Sequence, residues 1–233
     1  MNELERIEAQ AIRDAVVLAG GDAATAGGAM CVAHPSVPLP ELNRALPIGA
    51  TVDVAAIAAW FAGRPHLVSV PAGYLGLDEQ LAAHGYAPAG AWTKFRRGAS
   101  PAPAAPTDLE IEETVDPRAF AVASGLDPRL SAMVGAPGWT CFVAWDGDQP
   151  AACGALYADG ETGWVGVGMT RPEFRGRGAQ SALLAARIEK ALALGVHELA
   201  TETGDGGGTS SRNVRRAGFA EAYARPNWRY DSR

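Results

Sequence analysis

The chain has 233 residues and a formal net charge of −6, with 48% hydrophobic and 20% charged residues. At ~150 residues per domain this is one large unit or two small ones, with enough apolar side chain to bury a core. The acidic balance argues against a nucleic-acid-binding surface and suits neutral or cationic substrates.

Cys31, Cys141 and Cys153 are few, odd in number and set among apolar residues, which reads as buried free thiols in a reducing compartment and not as a metal site or disulfide framework. Glu3, Glu5 and Glu8 stand where a secretory leader would need basic residues, and no apolar run approaches the ~20 residues of a membrane span. The expectation is a cytoplasmic protein, monomer or homodimer, with no membrane, nucleic-acid or metal partner.

Leu4, Ile7, Ala11, Ala15 and Leu18 share one helical face that stops at Gly20-Gly21. Residues 26–33 and 41–46 read as strands on either side of the proline-rich run from His34 to Pro38. Val54, Ile57, Ala58 and Phe61 mark a second helix with Asp53 as its N-cap, followed by a buried strand from Leu67 to Val70. Asp78 reads as the cap of a short helix running to His84, which Gly85 ends, and residues 91–96 read as a strand. Three prolines among small residues then make Gly98 to Thr107 an extended linker. This divides the chain into a domain at 1–98, a linker at 99–107 and a second domain at 108–233.

The second half opens with a strand at 109–114, a helix from Asp116 to about Leu126 and loop signals from Asp127 to Gly138. Strands follow at 140–145, 151–157 and 162–169, the first two joined by the hairpin turn Asp146-Gly147-Asp148-Gln149. Arg175-Gly176-Arg177-Gly178-Ala179-Gln180 comes next, ahead of a helix marked by Leu184, Ile188 and Ala191 and stopped by Gly195. Glycines at a strand-to-helix turn let a ligand approach the backbone, and the helix start adds unpaired amides and a positive dipole end. Such a place suits a phosphate, and Arg175 and Arg177 add matching donors. The tetrapeptide alone also fits a solvated turn.

The chain ends with a strand at 197–202, a flexible loop at 204–208, a short helix from Ser210 to Ala217 closed by Gly218, and a strand beginning at Trp228. Arg212, Arg215 and Arg216 read as a solvated helix face, and Asn213 as a solvent or capping residue.

Arg175, Gly176, Arg177, Gly178 and Ala179, set between a strand and an Ala/Leu helix, resemble the acetyl-CoA-binding signature of the GNAT N-acetyltransferase superfamily. Gln180 departs from the family's usual small residue. The element order from Leu109 to the C-terminus matches a whole GNAT fold, an α/β fold with a mixed central sheet flanked by helices.

A faint repeat extends the resemblance. The series from Gly195-Val196-His197 through Gly218-Phe219 to Trp228-Arg229-Tyr230 parallels Gly63-Arg64-Pro65-His66 through Gly85-Tyr86 to Trp92-Thr93-Lys94-Phe95. This implies two tandem copies, the first degenerate, since Pro47-Ile48-Gly49-Ala50-Thr51 stands where the phosphate turn would be.

The resemblance implies an acyltransferase that moves the acetyl group of acetyl-CoA to a small-molecule amine by direct attack in a ternary complex. A protein or peptide N-acetyltransferase and a non-catalytic acyl-CoA sensor are the alternatives. It also implies that pantetheine pairs with backbone at Val167, Gly168 and Met169, and pyrophosphate with amides from Arg175 to Gln180. Val214 stands where the family often has a tyrosine as general acid to the leaving thiolate, with Tyr223 and Tyr230 as candidate replacements. Glu202, ending the strand that would form the second arm of the site, is the expected base, ahead of Glu161 and His197.

Overall fold

The apolar positions near the N-terminus form α1 (Glu3–Leu18), where the Asn2 side chain accepts the Leu4 amide at 3.1 Å as a cap. Leu4, Ile7, Ala11 and Ala15 are buried along it, and Leu18 is exposed at its end. In the computed structural model, which describes residues 2–37, 39, 42–47, 51–71, 74, 76–204 and 207–231, this helix packs on a single sheet of eleven strands.

Before the linker come β1 (Asp22–Ala26), β2 (Ala29–Ala33), β3 (Arg44–Pro47), α2 (Val54–Phe61), β4 (His66–Ser69), α3 (Leu77–Ala83) and β5 (Ala87–Gly98). After it come β6 (Glu110–Thr114), α4 (Pro117–Ser124), β7 (Trp139–Asp146), β8 (Gln149–Asp159) and β9 (Thr162–Thr170). The chain closes with α5 (Ala179–Ala193), β10 (Glu198–Thr203), α6 (Thr209–Arg216) and β11 (Ala220–Tyr230). The series β3-α2-β4-α3-β5 recurs as β9-α5-β10-α6-β11, each with a parallel strand pair around its first helix.

The strand order is β1-β2-β3-β4-β11-β5-β10-β9-β8-β7-β6. The last strands of the two series change places: β5 lies between β10 and β11, and β11 between β4 and β5. One hydrogen-bonded sheet therefore runs across the linker.

Side chains alternate between the two faces of each strand. On β10, Ala200 packs with α1 and α4, beside Ile7, Phe120, Trp139 and Trp164, while Leu199 packs with α5 and α6, beside Leu184, Ile188 and Val214. In the first half α2 and α3 cover the face of Cys31 and Val68, and α1 the face of Met30 and Val32. α1 is also tied to the second half by polar bonds. Arg6 donates to Asp159 at 2.8 Å and Thr162 at 2.9 Å, and the Trp139 indole donates to Asp14 at 2.6 Å.

Several local expectations change. Residues 26–33 are not one strand: Gly27 and Gly28, with φ of 55° and 72°, turn β1 back into β2, as a two-residue hairpin requires. Asp78 lies inside the first turn of α3, whose cap position is Gly76 without a side-chain bond. The loop from Asp127 contains a 3-10 turn at Pro128–Met133, with Asp127 accepting the Arg129 amide at 3.0 Å. The final strand begins at Ala220, eight residues ahead of the tryptophan that marks it in the sequence. Asp53 caps α2 as expected. Pro38, Glu41, residues 48–50 of the first-half turn, and Asp205 and Gly206 of the glycine loop lie outside the described residues.

Candidate active site

The site begins with an irregularity in β9. Cys153 of β8 pairs with Met169 and Ala155 with Gly166, so Gly154 alone faces both Val167 and Gly168. This is a β-bulge, and Val167 takes a φ of 52°, rare for a β-branched residue. Arg187 of α5 supports it: its Nη1 donates to the Gly166 carbonyl at 3.0 Å and its Nε to the Leu183 carbonyl at 2.9 Å. The guanidinium fills the place of a side chain at position 154, where a Cβ would lie 2.6 Å from Arg187 Cζ. Burial lowers the pKa of Arg187 to about 10, which leaves it charged at neutral pH.

Past the Ala200–Trp164 pair the parallel strands β9 and β10 part, and the Thr201 hydroxyl donates across the opening to the Val165 carbonyl at 2.7 Å. The result is a V with Val167, Gly168 and Met169 on one arm. Beyond β9 a 3-10 turn at Pro172–Phe174 leads into Arg175, and the chain enters α5 at Gly178, whose φ is 83° and which offers no side-chain cap. The first amides of α5 have no helical carbonyl ahead of them, so this end carries unpaired donors and the positive dipole end.

The β9 arm of the V, the turn, α5 and α6 border a cleft of about 950 Å³. Of the residues expected from sequence, Gly168, Met169, Arg175, Gly176, Gly178, Ala179 and Gln180 line it. Asn213 and Arg216 also line it, although the sequence reads the first as a solvent or capping residue and the second as part of a solvated face. So do Pro103, Ala104, Ala105 and Pro106 of the linker.

Two expected residues sit differently. The Val167 side chain packs into the cluster on the α1 face. The Arg177 guanidinium turns away from the cleft, pairing with Asp108 at 2.6 Å and Asp146 at 2.9 Å. The expectation that Arg177 offers it to a phosphate is therefore corrected: the hydrogen bonds it donates to Asp146 and Asp108 raise its pKa still further, and both carboxylates would have to be displaced. Gln180, the departure from the family pattern, has a structural use. Its amide donates to Met169 O at 2.7 Å, Thr170 Oγ1 at 3.1 Å and Cys153 O at 3.2 Å, tying the start of α5 to the end of β9.

Glu202 lies on the opposite face, in a buried cluster absent from the sequence reading. Its Oε1 accepts from Arg44 of β3 at 3.0 Å and its Oε2 from Arg225 of β11. Arg225 also pairs with Glu5 at 2.6 Å and Glu8 at 2.8 Å on α1, and Arg44 and Lys94 pair with Glu8. Three carboxylates thus meet three basic groups. Burial works to raise the pKa of Glu202, but Arg225, then Arg44 and Lys94, outweigh it and hold the carboxyl at about 2. Burial and the neighbouring Arg225 bring Lys94 down to about 7. A carboxylate with both oxygens committed to arginines and so low a pKa is a poor proton acceptor, and the expectation of a base at Glu202 is revised on that ground.

The other candidates stand apart from the V. His197 and Glu161 are exposed at its closed end, where the His197 amide donates to Glu161 O at 2.8 Å. Val214 is buried in the core beneath α6. The Tyr223 hydroxyl donates to Glu5, and burial with that bond raises its pKa, so it is no more acidic than a free phenol. Cys31, Cys141 and Cys153 are buried free thiols, each pushed up to about 12 by burial.

A sequence model of the Acetyltransferase (GNAT) family matches residues 108–219. No curated protein matches the chain. Among solved structures, a GCN5-related N-acetyltransferase from Kribbella flavida is similar with a TM-score of 0.71 and 19% identity, over 99% of this chain and 96% of that one. A tandem GNAT protein from the clavulanic acid biosynthesis pathway is similar with a TM-score of 0.60 and 17% identity, over 82% of this chain and 75% of that one. A GCN5-related N-acetyltransferase from Sphaerobacter thermophilus has a TM-score of 0.60 and 21% identity, over 72% and 60%. The fold is the GNAT fold, and the first half is built on the same plan as the second.

Proposed function

Because residues 108–219 are a domain of the GNAT acetyltransferase family, and so an acyltransferase domain, we propose that the protein transfers the acetyl group of acetyl-CoA to the amine of a small molecule. The observation that carries this reading is the continuity of the cleft from the Arg175–Gln180 turn to the bulge of β9. The pyrophosphate lies against the amides of the turn, with Arg175 and Arg216 beside it, and pantetheine runs along Val167, Gly168 and Met169. The acetyl group then lies where β9 and β10 part.

In a ternary complex the amine nitrogen bonds to the acetyl carbon as the carbon–sulfur bond breaks. The thiolate leaves and takes up a proton, and the amine loses one. Holding both reactants in one cleft supplies the proximity such a step needs. Cys141 and Cys153 take no part, being buried with thiols raised far above neutrality. Glu202 serves as a fixed anion that orients Arg44 and Arg225 beside β10. The small acceptor is supported by α1, which lies over Trp164 and Ala200 on the face opposite the cleft and narrows the approach there.

The first half, residues 1–98, shapes that approach and binds no second acetyl-CoA. Buried free thiols fit a reducing compartment, so the proposed location is the cytoplasm; among the described residues no helix is long and apolar enough to cross a membrane.

The test is a panel of small amines and peptides incubated with acetyl-CoA, with thiol release as the readout. Small amines should accelerate release. Acceleration by peptides alone would give the protein-acetylating reading, and tight CoA binding with no acceleration across the panel would give the sensor.

A further inference from the structure

We infer that the segment joining the two halves, Pro103 to Pro106, is a wall of the acetyl-CoA cleft on the side of the diphosphate. This rests on the cofactor reading above and extends it to residues outside both copies of the repeat.

The segment is pinned at both ends. Arg97, which is 5% exposed at the end of β5, donates to Pro101 O at 2.6 Å, Gly98 O at 3.0 Å and Ala217 O, just past α6, at 2.9 Å. At the other end the Thr107 hydroxyl donates to Arg177 O at 2.8 Å. Pro106 O closes on the phosphate turn itself, since a Cβ on Gly178 would lie 2.5 Å from it. Between these anchors Ala102 packs into the cluster under α5 and α6, and Pro103, Ala104, Ala105 and Pro106 border the cleft together with Arg175 and Arg216.

The composition suits a wall. Proline fixes φ and needs no amide partner, so the segment holds an extended course without a strand beside it. Alanine adds little bulk, so the cleft stays open. The wall carries no charge, leaving the anionic ligand to Arg175, Arg216 and the turn amides. A linker of this kind couples cofactor affinity to the covalent continuity of the two halves.

Calorimetric titration of the full chain with CoA tests it. Ala105→Asp should weaken binding about tenfold at low ionic strength, and the loss should shrink with added salt, because the new carboxylate would face the diphosphate. Ala105→Lys should bind CoA at least as tightly as the unaltered protein. Unaltered affinity in both variants overturns the wall and leaves the cofactor reading standing. No CoA binding by the unaltered protein overturns both.

Hydrogen exchange of the unaltered protein gives a second measure, independent of any substitution. CoA should slow the amides of Ala104 and Ala105 along with those of Ala179 to Ser181. Slowing confined to the latter overturns the wall. If bulk alone weakens both variants, the salt dependence vanishes and the exchange result decides.

Discussion

α2 and α5 occupy the same place in the two halves, each between two parallel strands, but their N-termini are closed in opposite ways. α5 starts at a glycine without a side-chain cap and opens on the cleft beside Arg175. α2 starts at Asp53, whose carboxylate accepts the Ala56 amide at 3.1 Å. The β1–β2 hairpin then closes over it: Gly27 O accepts the Asp53 amide at 2.9 Å. A Cβ on Gly27 or Gly28 would lie 2.2 Å from Asp53 O and 2.1 Å from Thr51 O, so only glycine admits so close an approach. The helix end proposed to bind phosphate in one half is thus a structural joint in the other. What separates them is the cap and the covering chain, since the backbone scaffold is shared.

Separating the halves should have the largest effect on that comparison. A fragment beginning at Thr107 lacks β5, leaving a gap between β10 and β11, and takes Glu202 and Arg225 from Glu5, Glu8, Arg44 and Lys94. We expect no folded monomer by circular dichroism; a soluble fragment that binds CoA would show that the second half closes its own sheet.

Gly178→Val comes next. Its φ of 83° and the nearby Pro106 carbonyl both oppose a branched side chain, so the turn must shift away from the ligand. CoA affinity should fall at least ~100-fold, since each tenfold step is only about 1.4 kcal/mol and several amide contacts are displaced. In calorimetry the unaltered protein should bind close to one CoA per chain. A stoichiometry of two would mean that α2 also binds, and unaltered affinity in the variant would move the phosphate site elsewhere.

Glu202→Gln leaves two buried arginines short of a counter-charge. We expect a loss of stability of about 3 kcal/mol at neutral pH, typical of removing one partner from a buried pair. The pH dependence gives the sign. In the folded chain the Glu202 carboxyl titrates at about 2 against an ordinary 4.5, so the unfolded chain binds more protons between those values. Its stabilisation is complete above about pH 4.5 and is lost as the pH falls toward 2, and Glu5, also lowered, adds in the same direction. Melting temperatures of variant and unaltered protein should differ at pH 7 and converge near pH 2; a constant gap would remove Glu202 from the ion cluster.

Much of the cleft was legible because its signals are local. The Arg-Gly-Arg-Gly turn, the alternation of Val165, Val167 and Met169, and the helix after them are contiguous, and the backbone makes the site. The buried ion cluster was not legible, since Glu5, Glu8, Arg44, Lys94, Glu202 and Arg225 come from five elements spread along the chain. In the sequence Glu5 and Glu8 read only as acidic residues near the start of a helix. The exchange of β5 and β11 has no sequence periodicity of its own, because a strand alternates in the same way whichever neighbour it pairs with. Arg187 gives a partial signal: an arginine beside Ile188 on the buried face of a helix invites a question, and Gly154 supplies the answer only once the two are packed together.

The smallest expected effect separates cap from site. Asp53→Ala removes the carboxylate over α2 but leaves the hairpin on it, with Gly27 O still accepting the residue-53 amide. Loss of an N-cap costs about 1 kcal/mol, so the melting temperature should fall by a few degrees at most for a chain of this length. The repulsion of an anion at this end would also be gone. If the carboxylate alone kept phosphate away from α2, Asp53→Ala would gain a second, weak CoA site, seen as a rise in stoichiometry at high ligand concentration. If the covering hairpin is the barrier, stoichiometry stays at one. We expect one, because among the described residues Gly27 and Gly28 lie directly against the backbone of Asp53 and Thr51 and cover the helix start.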